Sequence, residues 1–238
     1  MKRFYNSAAA LPAEDGGWTV ALDGKPIRTP AKAIFRAPTQ AMAEAAAAEW
    51  EAQAATVKPA EMPVTRAVNT ALDRTIPEFD MVAEQIVAYG RADLLCYRAE
   101  GPAALIERQA AAWDPLLKEA EARFGARLSV TAGIVHAAQD EAAIGRLEAA
   151  VRAHDGFALT GLYDLVALSG SLVVGLLSAS GALAPAEAWG ISRLDEIWQA
   201  EQWGEDAEAE RAASFKAREF AEAARFVALS RPDPADRG

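Results

Sequence analysis

The chain has 238 residues, with 24 Lys and Arg against 34 Asp and Glu for a formal charge of −10. That length allows one domain with an appendage, or two small ones, around a well-buried core, and the content of 52% hydrophobic and 24% charged residues is neither disordered nor fibrous. A net-acidic chain with no run of basic residues is a poor match for nucleic-acid phosphates, and a lone Cys96 with only His136 and His154 excludes an intrachain disulfide, a multi-cysteine metal site and a histidine-rich metal centre.

Residues 1–7 carry two bases but no apolar stretch of signal-peptide length follows them, and Glu14 and Asp15 argue against a transit peptide. Trp18, Val20 and Leu22 alternate with small or polar residues, and Asp23-Gly24 supplies the dipeptide of a tight hairpin turn. The second arm continues through Lys25, Pro26 and Ile27, with Pro26 confined to an edge strand, and residues 33–36 are predicted as a third strand. The period then changes. Thr39 is placed to cap an alanine-rich helix over residues 40–54. Pro63 opens a second helix with Val64, Ala67, Val68, Ala71 and Leu72 on one face, and a third spans about 78–89 and stops at Gly90. Residues 105–124 are helical with a predicted break at Asp114-Pro115, Asp114 capping the second piece.

Residues 128–130 and Ile134-Val135 are short and β-like, and helices are predicted at 141–153 and 157–179. Residues 165–186 lack a charge and are long enough to cross a bilayer, but Ser and Gly dilute them and Asp164 and Glu187 flank them, so the pattern is that of a helix buried in a helical core. A final amphipathic stretch covers 187–229, and the tail 231–238 is predicted to be disordered. The predicted class is α+β: a small β-rich N-terminal domain at 1–60, followed by a larger, mainly helical domain at 61–230.

Phosphate-cradling, dinucleotide-binding and serine-elbow motifs are absent. Cys96 sits among bulky apolar neighbours and reads as structural, His136 as a strand-end residue, and His154 as a helix-end cation. No catalytic, metal or cofactor residue is identified. Trp50, Trp113, Trp189, Trp198 and Trp203 lie near helix ends, where core packing or an interaction hot spot would each account for them. The run 62–74 sets Arg66, Asn69 and Asp73 on one side of a helix, a pattern that ties two layers together.

The late helix carries a stripe of Ile191, Leu194, Ile197 and Trp198, with Glu201, Glu205 and Glu208 expected on a shared face. The five acids at 201, 205, 206, 208 and 210 have no base among them. They form either a solvated surface or a patch that docks a basic partner surface. A divalent-metal site is the further alternative, although one helix face rarely supplies the six oxygens such an ion takes.

Several blocks occur in a fixed order: Gly17-Trp18, Leu22-Asp23-Gly24, Thr29-Pro30-Ala31-Lys32, Pro38-Thr39 and Glu49-Trp50-Glu51-Ala52-Gln53. Met62-Pro63, Asn69 through Asp73, Asp93 through Arg98, Gln109 with Trp113-Asp114-Pro115, and Gly170-Ser171 follow. The last runs from Arg193 through Glu208 around Trp203-Gly204-Glu205-Asp206. In this order they resemble the assembly chaperone family of the F1 ATP synthase alpha subunit, and they span nearly the whole chain. The resemblance implies a non-catalytic protein that binds the free alpha subunit and shields its interface until beta arrives. It implies a β-containing N-terminal and a helical C-terminal domain, and no cofactor, nucleic acid or membrane. It also points to the acidic C-terminal helix, which here gives Glu205, Asp206 and Glu208, with Trp203, Arg193 and Glu196 in the same block, as partner-binding residues. The expected state is a cytoplasmic monomer. The rival expectation is a carboxylate-dependent, metal-assisted hydrolase built on the same acids.

Overall fold

The computed structural model describes residues 2–14 and 16–232. Alternation at Trp18, Val20 and Leu22 becomes strand β2 (Trp18–Leu22), flanked by β1 (Ala8–Pro12) and the short β3 (Lys25–Pro26) in an antiparallel sheet of order β1-β2-β3. Ala10 sits opposite Val20, and Ala21 opposite Pro26 on the edge strand. Asp23 and Gly24 turn the hairpin at φ +48° and +80°, the left-handed pair that a type I′ turn requires. The Asp23 carboxylate takes the amides of Ser7 and Asn6, and those bonds hold it below its usual range. β2 is buried on both faces, since Thr19 donates its hydroxyl to the Phe35 carbonyl at 2.7 Å. The predicted strand at 33–36 does not form. Its segment makes only the isolated bridges Arg28–Ile34 and Trp18–Ala37, because a turn closed by Lys32 N to Thr29 O interrupts the pairing.

Helix α1 (Gln40–Glu51) starts where Thr39 Oγ1 accepts the Met42 amide at 3.1 Å, and buries Met42, Ala43, Ala46 and Ala47. Helix α2 (Pro63–Thr70) has no cap of its own. Both carboxylate oxygens of Glu49 accept its first amides instead, Val64 N at 2.7 Å and Thr65 N at 2.8 Å. Burial pushes the Glu49 carboxyl up despite those bonds. The helix then widens into a π turn (Ala71–Thr75), where Asp73 accepts from Thr29 Oγ1 and Ala31 N, so the polar side of the 62–74 run has a structural use. Val20, Phe35, Met42, Val64, Val68 and Phe226 share one core. The expected 60/61 boundary falls inside this unit, which comprises the described residues up to Phe79, Asp155–Gly161, and those from Arg225 onward.

The second unit, Asp80–His154 with Leu162–Ala224, is helical. It holds most of α3 (Phe79–Gly90), then α4 (Ala103–Phe124), α5 (Glu141–Arg152), most of α6 (Gly156–Ser169), and α7 (Leu172–Ser180). It continues with α8 (Pro185–Ser192), α9 (Leu194–Trp203) and the greater part of α10 (Ala207–Ser230). A short parallel pair, β4 (Tyr97–Arg98) and β5 (Thr131–Ala132), replaces the β-like segment expected at 128–130.

Two expectations for the helices do not hold. α4 runs unbroken through Pro115, because fully buried Trp113 and Gln109 anchor it on the N-terminal side and buried Ala120 on the C-terminal side. α3 ends at Gly90 as expected, although packing and not a left-handed turn demands glycine there, since an added Cβ would come within 2.9 Å of Leu172. The apolar run breaks at Gly170, φ +70°, into α6 and α7. Ser171 caps α7, and fully buried Asp93 accepts from Ser171 Oγ at 2.7 Å and Val173 N at 3.1 Å. No helix among the described residues is long and apolar enough to cross a membrane. The class is α+β, as expected. Of the tail expected to be disordered, Arg231 and Pro232 follow the end of α10, and 233–238 lie outside the described residues.

Candidate functional site

Helix α4 is the platform for the C-terminal acidic region. Trp113 is fully buried and donates its indole N–H to the Ile191 carbonyl at 3.1 Å, with the Arg98 guanidinium 5.2 Å from its ring. Gln109 accepts the Ala99 amide at 2.8 Å and donates to Asp195 Oδ1 at 2.7 Å. Arg108 forks onto Glu201 at 2.5 and 3.0 Å while lying 5.9 Å from the Trp198 ring. The Arg108 hydrogen bond holds the Glu201 carboxyl below its usual range, and Glu201 raises the guanidinium in return. Asp195, Trp198 and Glu201 thus turn one side of α9 toward α4.

The other side of α9 is unoccupied. Glu196, Gln199 and Trp203 are exposed and lie three, four and seven residues apart, a spacing that lines them along one stripe. Trp203 is 80% exposed, an unusual state for an indole. Gly204 ends the helix at φ +95°, a conformation that side-chain-bearing residues rarely adopt. Asp206 then starts α10, its Oδ1 accepting Glu208 N at 2.8 Å and Ala209 N at 3.4 Å. Residues 201–212 are all exposed. Glu205, Ala207, Glu210, Arg211, Ser214 and Arg218 line a shallow concavity beside the turn.

The structure gathers Trp203, Glu205, Asp206 and Glu208 around one turn and leaves Arg193 and Glu196 toward the far end of α9. Arg193 sits between α8 and α9, 5.7 Å from the Trp189 ring, which packs against Phe220. The shared face expected for Glu201, Glu205 and Glu208 is not formed, because Gly204 divides them between two helices and Arg108 holds Glu201. Sequence reasoning missed the Arg108–Glu201 pair. Arg108 lies 93 residues from Glu201, and no local spacing signals the pair.

Among the described residues no three His, Cys, Asp or Glu side chains group as a metal ion would need. Burial pushes the Cys96 thiol up to about 12, with the Asp93 carboxylate adding to the shift. His136 Nδ1 lies 3.0 Å from the Tyr97 hydroxyl, and His154 Nδ1 is 3.0 Å from the Ala150 carbonyl at the end of α5.

Residues 2–121 match the model of the ATP12 chaperone protein family. The chain belongs to the ATP12 chaperone family. Atp12 from Paracoccus denitrificans is 43% identical, with a TM-score of 0.94 over 97% of this chain and 98% of its own. An aspartate-to-lysine mutant of that organism's Atp12p matches at 42% identity and a TM-score of 0.94, over 97% and 98%. A protein of Agrobacterium tumefaciens provisionally described as a chaperone is 40% identical, with a TM-score of 0.93 over 97% of this chain and 86% of its own. The ATP12 family model ends within α4, before the Trp203 turn, whereas the matches to solved structures run far past it.

Proposed function

We propose that this chain is a non-catalytic F1 ATP synthase assembly chaperone that binds the free alpha subunit and covers its subunit interface until beta replaces it. Membership of the ATP12 chaperone family supports the role. The observation that carries the site is an indole 80% exposed at the edge of a continuously exposed acidic turn. A subunit made for assembly presents an apolar surface with charged groups at its rim. In this reading Trp203 enters the apolar part, Glu205 and Glu208 meet basic rim groups, and Asp206 shapes the turn. Glu196 extends the contact along α9, and Arg193 fixes the root of that helix. The chaperone acts as a cytoplasmic monomer.

Carboxylates on such a rim steer association and selectivity more than final affinity, so salt weakens the encounter. A holding chaperone benefits, since it must release its client to the true neighbour. The test is co-expression with a free F1 alpha subunit, followed by co-purification and assay of alpha-subunit solubility. Reversing charge at Glu205, Asp206 and Glu208 together should abolish both while the global unfolding transition stays close to that of the parent chain. Full rescue by the triple variant would remove the acidic turn from the mechanism, and failure of the parent chain to retain alpha would remove the client.

A further inference from the structure

We propose that Arg108 is a positioning residue for the client site: its fork onto Glu201 fixes the C-terminal end of α9 and thereby the direction in which Trp203 and the acidic turn face. The inference rests on the reading of that turn as the client-binding element, and goes beyond it by assigning a role to a residue outside the turn.

Helix α9 is held against α4. Its start is tied by Gln109 to Asp195, and α8 just ahead of it by Trp113 to the Ile191 carbonyl. Both ties lie in the first turn of α9 or before it. Trp203 is eight residues beyond Asp195, more than two helical turns away. Between them the polar tie to α4 is the bidentate Arg108–Glu201 pair, with the guanidinium also over Trp198. From residue 201 through 212 every residue is exposed, so burial does nothing to hold this stretch. Gly204 adds a left-handed hinge next to Trp203. A planar fork on a carboxylate fixes direction as well as distance, which a lysine cannot do.

The pair also divides the acids into two kinds. Glu201 is neutralised within the chain, so it offers a partner little charge. It also relieves the repulsion that five neighbouring carboxylates would otherwise place on one another. Glu205 and Glu208 keep their exposure on the far side of the hinge. One acid holds and the others read.

Because both partners are exposed, breaking the pair leaves overall stability nearly unchanged, which separates positioning from folding. The experiment compares Arg108→Glu, Glu201→Arg, the double swap, and Arg108→Lys, with Glu205→Lys/Glu208→Lys as control. Two readouts are taken: the rate of cleavage after Glu205, Glu208 or Glu210 by a glutamate-specific protease, and retention of a free F1 alpha subunit. Each single reversal should raise cleavage and lower retention by roughly fivefold, the swap should restore both, and Arg108→Lys should fall between. Unchanged cleavage in the single reversals, or a swap that restores neither readout, overturns the proposal. So does a cleavage change without loss of client when the control loses it. If the control also keeps its client, the functional reading of the turn fails, while the cleavage arm still upholds Arg108 as the anchor of α9.

Discussion

Asp206 separates two explanations that a charge reversal alone confounds. Its Oδ1 accepts the Glu208 amide at 2.8 Å and lies at 3.4 Å from the Ala209 amide, so one strong capping bond is at stake. Losing such a cap costs about 1 kcal/mol, and a negative charge at a helix start contributes roughly a further 0.3–1 kcal/mol. Asp206→Ala should therefore loosen the start of α10 by about 1–2 kcal/mol. Asp206→Lys should exceed that, whereas Asp206→Asn keeps an equivalent cap and loses only the charge's contribution of roughly 0.3–1 kcal/mol. The first buried residue of α10 is Ala213, so the loss will appear as local fraying more than as global unfolding. Amide exchange at Glu208 and Ala209 should accelerate by about 5- to 30-fold in Asp206→Ala. Client retention should follow the cap, near normal in Asp206→Asn and reduced in the other two. An asparagine variant that loses its client as fully as the lysine variant, with wild-type exchange, would show that charge and not turn geometry is what the partner reads.

Three other outcomes follow from the fold. Burial raises the folded-state pKa of Asp93 above its unfolded value, so its favourable contribution is complete below the ordinary aspartate range and is lost as pH rises through the folded value. Denaturant titrations should show that component of the pH dependence vanish in Asp93→Asn, which cannot titrate. Cys96, buried with its thiol pushed up to about 12, should resist a disulfide reagent at neutral pH until the protein is denatured, as followed by thiol absorbance. Gly175→Ala would put a Cβ 2.3 Å from Val166 Cγ2 where α7 meets α6, costing about 1–3 kcal/mol and lowering the melting temperature by several degrees in a scanning fluorescence assay.

Local chemistry was readable wherever it decided the outcome. Thr39 caps α1, Pro63 starts α2, and Asp23-Gly24 turns the hairpin, because each acts on backbone groups within a few residues. Strand β1 was illegible because Ala8–Pro12 has no alternating pattern, and β2 supplies its pairing. The break predicted at Pro115 failed because tertiary anchoring on both sides outweighs one missing donor. Gly170-Ser171 falls inside the single helix predicted over 157–179, although its left-handed backbone ends one helix and its hydroxyl begins the next. Of the site, the ordered motif blocks located the acidic turn, and Trp203 departs from the core packing that tryptophans generally favour. The partition of its carboxylates could not be read. Glu201 is defined by Arg108 and Asp206 by a cap geometry that depends on Gly204 ending α9, and long-range pairs leave no local trace.

The N-terminal core has an awkward schedule on the ribosome. Val20, Phe35 and Met42 are made early, yet Phe226 belongs to the same cluster, and Thr39 donates its hydroxyl to the Leu229 carbonyl at 2.6 Å. The nascent sheet and α1 therefore wait, partly uncovered, until Phe226 and Leu229 have been translated. A protein proposed to guard another's unfinished surface leaves its own unfinished until α10 arrives to close it.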